Sequence, residues 1–281
     1  MKAFTFLARR FVAGETADKA VEAGIALKKR GINATFDLLG EDVLDRDAAI
    51  RSAEANKVLL RLIPDGVERN VSIKLTTMGL AIDNDFCLEQ TASVLDAAKA
   101  VGGFVRIDME GSSYTQKTID AFQTLRKRYD NVGIVLQAYL HRTEDDVKTA
   151  IARGDRVRLC KGAYKEPSEV AIQKMDDIRA NYRKCVRLLL DKGNYPAVAT
   201  HDEGLVQDVI GYTRDQKIGS DRYEFQMLYG LRPGRWDELV AAGHRVRIYV
   251  PYGTHWFPYF YRRLRERKEN VFFVLKGLFG G

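Results

Sequence analysis

The apolar positions of this chain fall into short runs bounded by turn residues, with longer stretches of helical repeat between them. Eight runs read as strands: Ala34–Leu38, Val71–Leu75, Phe104–Met109, Gly133–Gln137, Arg156–Cys160, Ala197–Thr200, Tyr223–Leu228 and Arg245–Val250. Their starts lie about 30 residues apart, the size of one βα unit. Between them, Ala48–Ile63 carries Ile50, Val58, Leu59 and Leu62 among charged residues, and Phe86–Val101 carries Leu88, Val94, Leu95 and Ala98. Tyr114–Tyr129 (Ile119, Phe122, Leu125) and Asp176–Leu190 (Ile178, Tyr182, Val186, Leu189) show the same amphipathic spacing. Thr16–Arg30, ahead of the first strand, reads as a helix stopped by Gly31.

Regular alternation of strand and helix predicts a parallel sheet with right-handed crossovers. Eight units in about 250 residues match a closed (β/α)8 barrel. The expected class is therefore α/β, with a short N-terminal helical segment over residues 1–32 and the barrel over 33–281. An open doubly wound sheet is the alternative, but no Gly-x-Gly-x-x-Gly follows the first strand.

In a barrel of this kind the chemistry sits at the C-terminal ends of the strands. The second run holds Lys74, the third Asp108 and then Glu110, and the fourth ends in Gln137. The fifth holds Arg158 and leads into Lys161, and the sixth runs into Thr200, His201, Asp202 and Glu203. The seventh holds Gln226 and the eighth Tyr249. Any one of these alone is more often an outward residue, a structural ion pair or a satisfied loop histidine. Independent surface placements would not gather at matching strand ends, and their coincidence points to one mouth.

Charge adds a second constellation. The net charge is +7, and residues 231–281 hold ten Lys/Arg against four Asp/Glu. Such an excess suits an acidic substrate, an anionic cofactor or an anionic membrane surface, and equally a solvated basic helix. Within it, Trp256–Lys268 reads as a helix in which Arg262 and Glu266, four apart, can pair. Arg262 and Arg263 together form a fork suited to one carboxylate. No run approaches the roughly 18 apolar residues of a membrane span. The start lacks the long apolar region of a secretory signal. Three scattered cysteines fit a reducing cytoplasm, and four scattered histidines do not favour a metal site.

Several segments, in order, resemble the barrel domain of the proline dehydrogenase family. They are Ser72-Ile73-Lys74-Leu75, Ile107-Asp108-Met109-Glu110, Leu136-Gln137-Ala138-Tyr139, Lys161-Gly162-Ala163-Tyr164 and Ala199-Thr200-His201-Asp202. Further on come Glu224-Phe225-Gln226-Met227-Leu228-Tyr229-Gly230, Arg247-Ile248-Tyr249-Val250-Pro251-Tyr252-Gly253 and Tyr261-Arg262-Arg263-Leu264-Arg265-Glu266-Arg267. Each alone is a weak signal; together, from about residue 33 to the end, they are specific.

The resemblance implies a distorted (β/α)8 TIM barrel holding FAD. It implies oxidation of L-proline to Δ1-pyrroline-5-carboxylate by hydride transfer to the flavin N5, with electrons passed on to a quinone, as the first step of proline degradation. Arg262, Arg263 and Lys74 would take the substrate carboxylate, Glu266 would pair with an arginine, and Asp108 would orient Lys74. Tyr164, Leu228 and Tyr249 would shape the pocket, and Arg158 would lie against the flavin. Met109, Gln137, Lys161, Gly162, Ala163, Thr200 and His201 would hold the cofactor, with Glu203 toward its adenosine end. Many members carry further N-terminal helices; about 32 residues precede the first strand here, so the cap is expected to be short or trimmed, and with neither a DNA-binding module nor an aldehyde dehydrogenase domain in the sequence the chain resembles the monofunctional type. The expected location is cytoplasmic, with a weak peripheral contact at the inner membrane face allowed by the quinone acceptor.

Two other enzyme classes and a binding role compete. A Schiff-base aldolase would explain a strand lysine beside Asp108 but leaves the paired arginines unused. A metal hydrolase on His201, Asp202 and His141 lacks the usual ligand spacing. The basic C-terminal stretch carries no nucleic-acid motif, and no nucleic-acid partner is expected.

Overall fold

The computed structural model describes residues 10–40, 42–257 and 259. Eight parallel strands close in sequence order into a barrel: β1 (Asn33–Leu38), β2 (Asn70–Ile73), β3 (Phe104–Ile107), β4 (Val132–Gln137), β5 (Arg156–Cys160), β6 (Ala197–Ala199), β7 (Glu224–Leu228) and β8 (Val246–Tyr252). Closure is by β1 on β8, in register from Asn33 opposite Arg247 to Leu38 opposite Tyr252. All eight expected runs became strands. Three end earlier than their apolar pattern, β6 by one residue at Ala199 and β2 and β3 by two. Lys74 already begins a 3-10 turn at Leu75–Met78, and Asp108 stands just past β3, its N–H still bonded to Ile73 O at 2.8 Å.

The helices form the outer layer. They are α1 (Ala17–Lys28), α2 (Arg46–Leu62), α3 (Asn84–Ala100), α4 (Ser112–Arg126), α5 (Thr143–Ala152), α6 (Met175–Lys192), α7 (Glu203–Asp215) and α8 (Pro233–Ala241). Side chains set several starts: Asp45 accepts from the N–H groups of Asp47 and Ala48, and Asp83 from that of Phe86. Each such cap stabilises by about 1 kcal/mol. Residues 10–14 form no helix but lie along the end of β8, where Ala13 N–H bonds Pro251 O and Gly253 N–H bonds Gly14 O.

The helix that precedes the first strand closes the outer layer at the β8–β1 seam. α1 packs on both strands, and Gly24 makes the approach possible: a Cβ there would stand 2.5 Å from the Phe36 ring. Between helices and sheet runs one continuous apolar core, with Phe36, Leu59, Phe122, Tyr182 and Phe225 fully buried. Among the described residues no helix is long and apolar enough to cross a membrane.

Inside the barrel the composition reverses. Such interiors are usually filled by layers of Val, Ile and Leu. Here Thr35, Asp37, Ser72, Lys74, Arg106, Asp108, Arg158, Glu224, Gln226 and Arg247 are all buried. Side chains from β2, β3, β5, β7 and β8 meet across it. Gly133 on β4 gives Arg106 its room, because a Cβ there would run into the guanidinium.

Candidate active site

At the C-terminal end of the barrel Arg158 lies in the centre. Its Nε donates to Gln226 Oε1 at 2.5 Å, Nη1 to Asp108 Oδ1 at 2.7 Å and Nη2 to Ser72 Oγ at 3.1 Å. The Tyr249 ring covers it, 5.4 Å from Cζ to centroid, and the Tyr249 hydroxyl donates to Asp108 Oδ2 at 2.8 Å. Burial, followed by the nearby charges of Asp108 and Asp37, raises the Tyr249 phenol well above its ordinary value, so it remains a donor. One side chain on β8 thus stacks on the cation and fixes its counter-ion.

Beside this group Lys74 Nζ donates to both oxygens of Asp37, at 3.0 and 3.1 Å. Asp37 is only 1% exposed. Burial pushes its carboxyl up, against the pull of Lys74. Lys74 and Ser72 also line a cavity of about 750 Å³ between the β1–α2 loop, α2 and the segment after β8, with Leu39, Asp42, His255 and Tyr259 on its walls. That volume is in the range of small-molecule sites.

The rim over β4 to β7 carries a second set. Gln137 donates to Glu110 O at 2.9 Å and accepts from Ala163 N–H at 3.3 Å, so its amide is pinned at both ends. Gly162, with φ +126°, passes over the Tyr139 ring so closely that a Cβ would overlap it. Lys161 Nζ (3.2 Å) and Arg179 Nε (2.8 Å) share one oxygen of Asp202. Partial burial works against the Asp202 charge, but the Arg179 hydrogen bond and the Lys161 charge hold its carboxyl down at about 2. Thr200 Oγ accepts from Asp202 N–H at 3.1 Å. His201 Nε2 accepts from Leu228 N–H at 2.9 Å, which makes that nitrogen the unprotonated one. Glu203 pairs with Arg232 and Arg235 on the outer side of this rim.

The structure therefore brings Lys74, Asp108, Arg158 and Tyr249 together in the barrel. Gln137, Lys161, Gly162, Ala163, Thr200 and His201 lie along the adjoining rim, with Leu228 tied to His201. Met109 is buried in the core just after β3, and Tyr164 is half-buried on the β5–α6 loop. Arg262, Arg263 and Glu266 lie outside the described residues. The resemblance implied that Asp108 orients Lys74. The geometry puts Asp37 on that ammonium, while Asp108 is taken up by Arg158 and Tyr249. Sequence reasoning missed Asp37, although an Asp at an inward position of β1, two residues after Thr35, is the same signal that flagged Lys74 and Asp108. It also missed Arg179, which reaches Asp202 from a helix.

Polar, ion-paired side chains gathered at the C-terminal mouth of a parallel barrel are the arrangement of a barrel enzyme. Comparison with known proteins narrows the class. The model of the family described as "Proline dehydrogenase" matches residues 20–276. The chain is 39% identical over 276 residues to proline dehydrogenase 1 of Bacillus subtilis, covering 96% of this chain and 90% of that protein. It is also 39% identical over 284 residues to the proline dehydrogenase of Deinococcus radiodurans, covering 98% and 91%. Among solved structures, proline utilization A from Bdellovibrio bacteriovorus, inactivated by N-propargylglycine, superposes with a TM-score of 0.84 at 28% identity. That match covers 93% of this chain but spans only 32% of the much longer protein. The chain belongs to the proline dehydrogenase family and is an oxidoreductase of that family.

Proposed function

We propose that the chain oxidises L-proline to Δ1-pyrroline-5-carboxylate with FAD as its cofactor and passes the electrons on to a quinone. The observation that carries this reading is the meeting of two ion pairs, Asp37–Lys74 and Asp108–Arg158, with Tyr249 at the C-terminal mouth of the barrel. Proline offers a carboxylate and a compact apolar ring. Lys74, with Arg262 and Arg263, would take the carboxylate by charge-assisted bonds of roughly 1.5–3 kcal/mol each before desolvation. Leu228, Tyr164 and Tyr249 would wall the ring. Asp37 fixes the position of the Lys74 ammonium, and Asp108 with Tyr249 holds the guanidinium plane of Arg158.

The rim fits a flavin dinucleotide. Lys161 shares Asp202 with Arg179, whose other arm is on Asp176, and the Lys161 ammonium would reach a pyrophosphate from a carboxylate it does not hold alone. Gly162 lacks the Cβ that would stand over Tyr139, and the engaged Gln137 amide offers fixed hydrogen-bonding edges. Thr200, His201, Ala163 and Met109 would complete that surface, and Glu203 would stand toward the adenosine end. FAD, when bound, supplies the acceptor for the hydride leaving the ring carbon beside the amine. Arg158 would favour the electron-rich reduced ring by its charge. The basic excess of residues 231–281 supports a weak contact with an anionic membrane surface, where a quinone would be met, by a cytoplasmic protein.

The test is an absorbance spectrum of the purified protein before and after L-proline is added without oxygen. Flavin bands that bleach with proline are expected. Flavin bands that persist would discard proline as the substrate, and a protein that takes up no FAD would sink the cofactor assignment.

A further inference from the structure

A chain of buried polar groups runs down the barrel axis beneath the site. Gln226 on β7 accepts from Arg158 Nε through Oε1 and donates through Nε2 to Glu224 Oε1, both at 2.5 Å. Glu224 in turn accepts from Arg247 Nε at 2.8 Å and Nη2 at 3.1 Å. Arg247 is fixed further by Ala34 O at 2.8 Å and Glu68 at 2.6 Å. The groups facing Gln226 leave its amide one orientation. A guanidinium only donates and a carboxylate only accepts, so a flipped amide would set donor against donor above and acceptor against acceptor below.

We propose that Gln226 and Glu224 are positioning residues for Arg158: Glu224 locks the Gln226 amide, and the amide oxygen holds the guanidinium in the plane that Asp108 and Ser72 complete. Glu224 lies below the mouth, and Gln226 is engaged there by its bond to Arg158, so both act through Arg158. The proposal rests on the reading above that Arg158 serves the flavin, but the geometry it concerns exists without the cofactor. Burial opposes the Glu224 charge, yet Arg247 keeps the carboxyl at about 2, so Glu224 is an acceptor at every working pH. The alternation of β7 puts Leu228 on the same face two residues on, so one short strand carries the lock, the holder and a candidate pocket wall.

The Gln226→Glu substitution gives a test that a purely structural role would not pass. While the carboxyl introduced by Q226E is protonated, it reproduces both bonds: its O–H donates to Glu224 and its carbonyl accepts from Arg158. Once ionised, it faces Glu224 as a second carboxylate, which pushes its titration upward against the opposite pull of Arg158, Arg106 and Arg247, and the symmetry between its two bonds is lost. Q226E should therefore match the wild type on the acid side of its new transition and depart from it on the alkaline side. Gln226→Leu, which leaves Glu224 and Arg247 paired, should depart at every pH.

The primary readout is the Arg158 Nε–H resonance of the full chain, identified by its loss in Arg158→Lys. This requires no turnover. A signal that is constant in the wild type, pH-switched in Q226E and displaced in Q226L supports the proposal. A signal in Q226E that follows the wild type at all pH values overturns it, as does an unmoved signal in Q226L. If Q226L does not fold, the Q226E titration decides alone. In turnover, kcat should fall by about 10-fold or more in Q226L, by analogy with loss of the partner that orients a metal ligand, with KM for proline little changed. A switched resonance in a protein that neither binds flavin nor oxidises proline would keep the positioning chain and discard the functional reading. Bleaching by proline with an unmoved resonance would do the reverse.

Discussion

The barrel interior holds two ionic clusters with opposite characters. In the lower one, Arg247 and Glu224 satisfy each other, with Glu68, Gln226, Tyr195 and the Ala34 carbonyl completing the set. The Glu224 carboxyl is held at about 2. In the upper one, Asp37 has a lysine on both oxygens and is still pushed up by burial. The Arg247–Glu224 pair is closed, although Arg106 beside it is a buried guanidinium bonded to backbone carbonyls and pushed down by burial, whereas in the upper cluster burial of Asp37 outweighs its partner. A buried pair is a net stabiliser only when the remaining lone pairs and protons are also matched. The Arg247–Glu224 pair meets that condition and supports the barrel. On the proposed reading, the upper cluster is where a charged ligand would bind.

The largest expected effect comes from removing one cation from each. Arg247→Met leaves Glu224 buried without its ion-pair partner and should cost about 3–5 kcal/mol, a fall in Tm on the order of 10 °C. Lys74→Met strands Asp37, but a carboxyl already pushed up accepts a proton readily. Its stability cost should stay below about 2 kcal/mol, and the main consequence should be a raised KM for proline. Thermal unfolding of both variants checks this. Equal losses of stability would erase the distinction between the clusters.

Acid separates them more finely. Glu224 binds its proton less tightly folded than unfolded. Its contribution is therefore fully present above its unfolded pKa of about 4.3, and it is lost as pH falls toward 2. Asp202, also at about 2, acts in the same direction. Asp37 is shifted the other way: it holds its proton more tightly when folded, so acid favours the folded form at that residue while neutralising the partner of Lys74. On lowering the pH, kcat/KM should fall before the far-ultraviolet circular dichroism does. Coincident transitions would mean that the upper cluster does not titrate separately from the fold.

The same contrast explains what the sequence made legible. Strand positions were clear because each strand is buried on both faces or alternates sharply, and β5 matches its expected span from Arg156 to Cys160. The long helices α1, α2, α3, α4 and α6 were clear from their apolar stripes. Helices α5, α7 and α8 were not singled out; α5 and α8 are short, α7 has no side-chain cap, and α8 starts from Arg232 at φ +53°. Polar strand ends gave Lys74, Asp108, Arg158 and Tyr249, because a charge inside an apolar run is rare enough to notice. Which charges pair was not legible. Lys74 and Asp108 sit on neighbouring strands, but the ammonium turns to Asp37 on the other side, and that choice depends on barrel curvature and stagger. The lower cluster went unread because Arg247 and Glu224 lie at strand starts, where sequence reasoning expects solvent.

The smallest effect concerns how the rim is attached to the closed base. α4 begins at Gly111, which has no side chain to cap it. Glu166, from the β5–α6 loop, does so across the fold: its carboxylate accepts from Ser112 N–H at 2.7 Å and from the Ser112 hydroxyl at 2.5 Å. The same loop carries Lys161, Gly162, Ala163 and Tyr164. A capping bond is worth about 1 kcal/mol, so Glu166→Ala should lower stability by about that much and leave the lower cluster untouched. The loop it releases is the candidate cofactor rim, and local opening should speed flavin loss more than it lowers Tm. Urea unfolding and the rate of flavin release, measured on one preparation, separate the two. If Glu166→Ala changes stability and leaves flavin release as in the wild type, the rim is held by Gln137 and Asp202 alone, and the upper half of the molecule is more rigid than its incompletely matched charges imply.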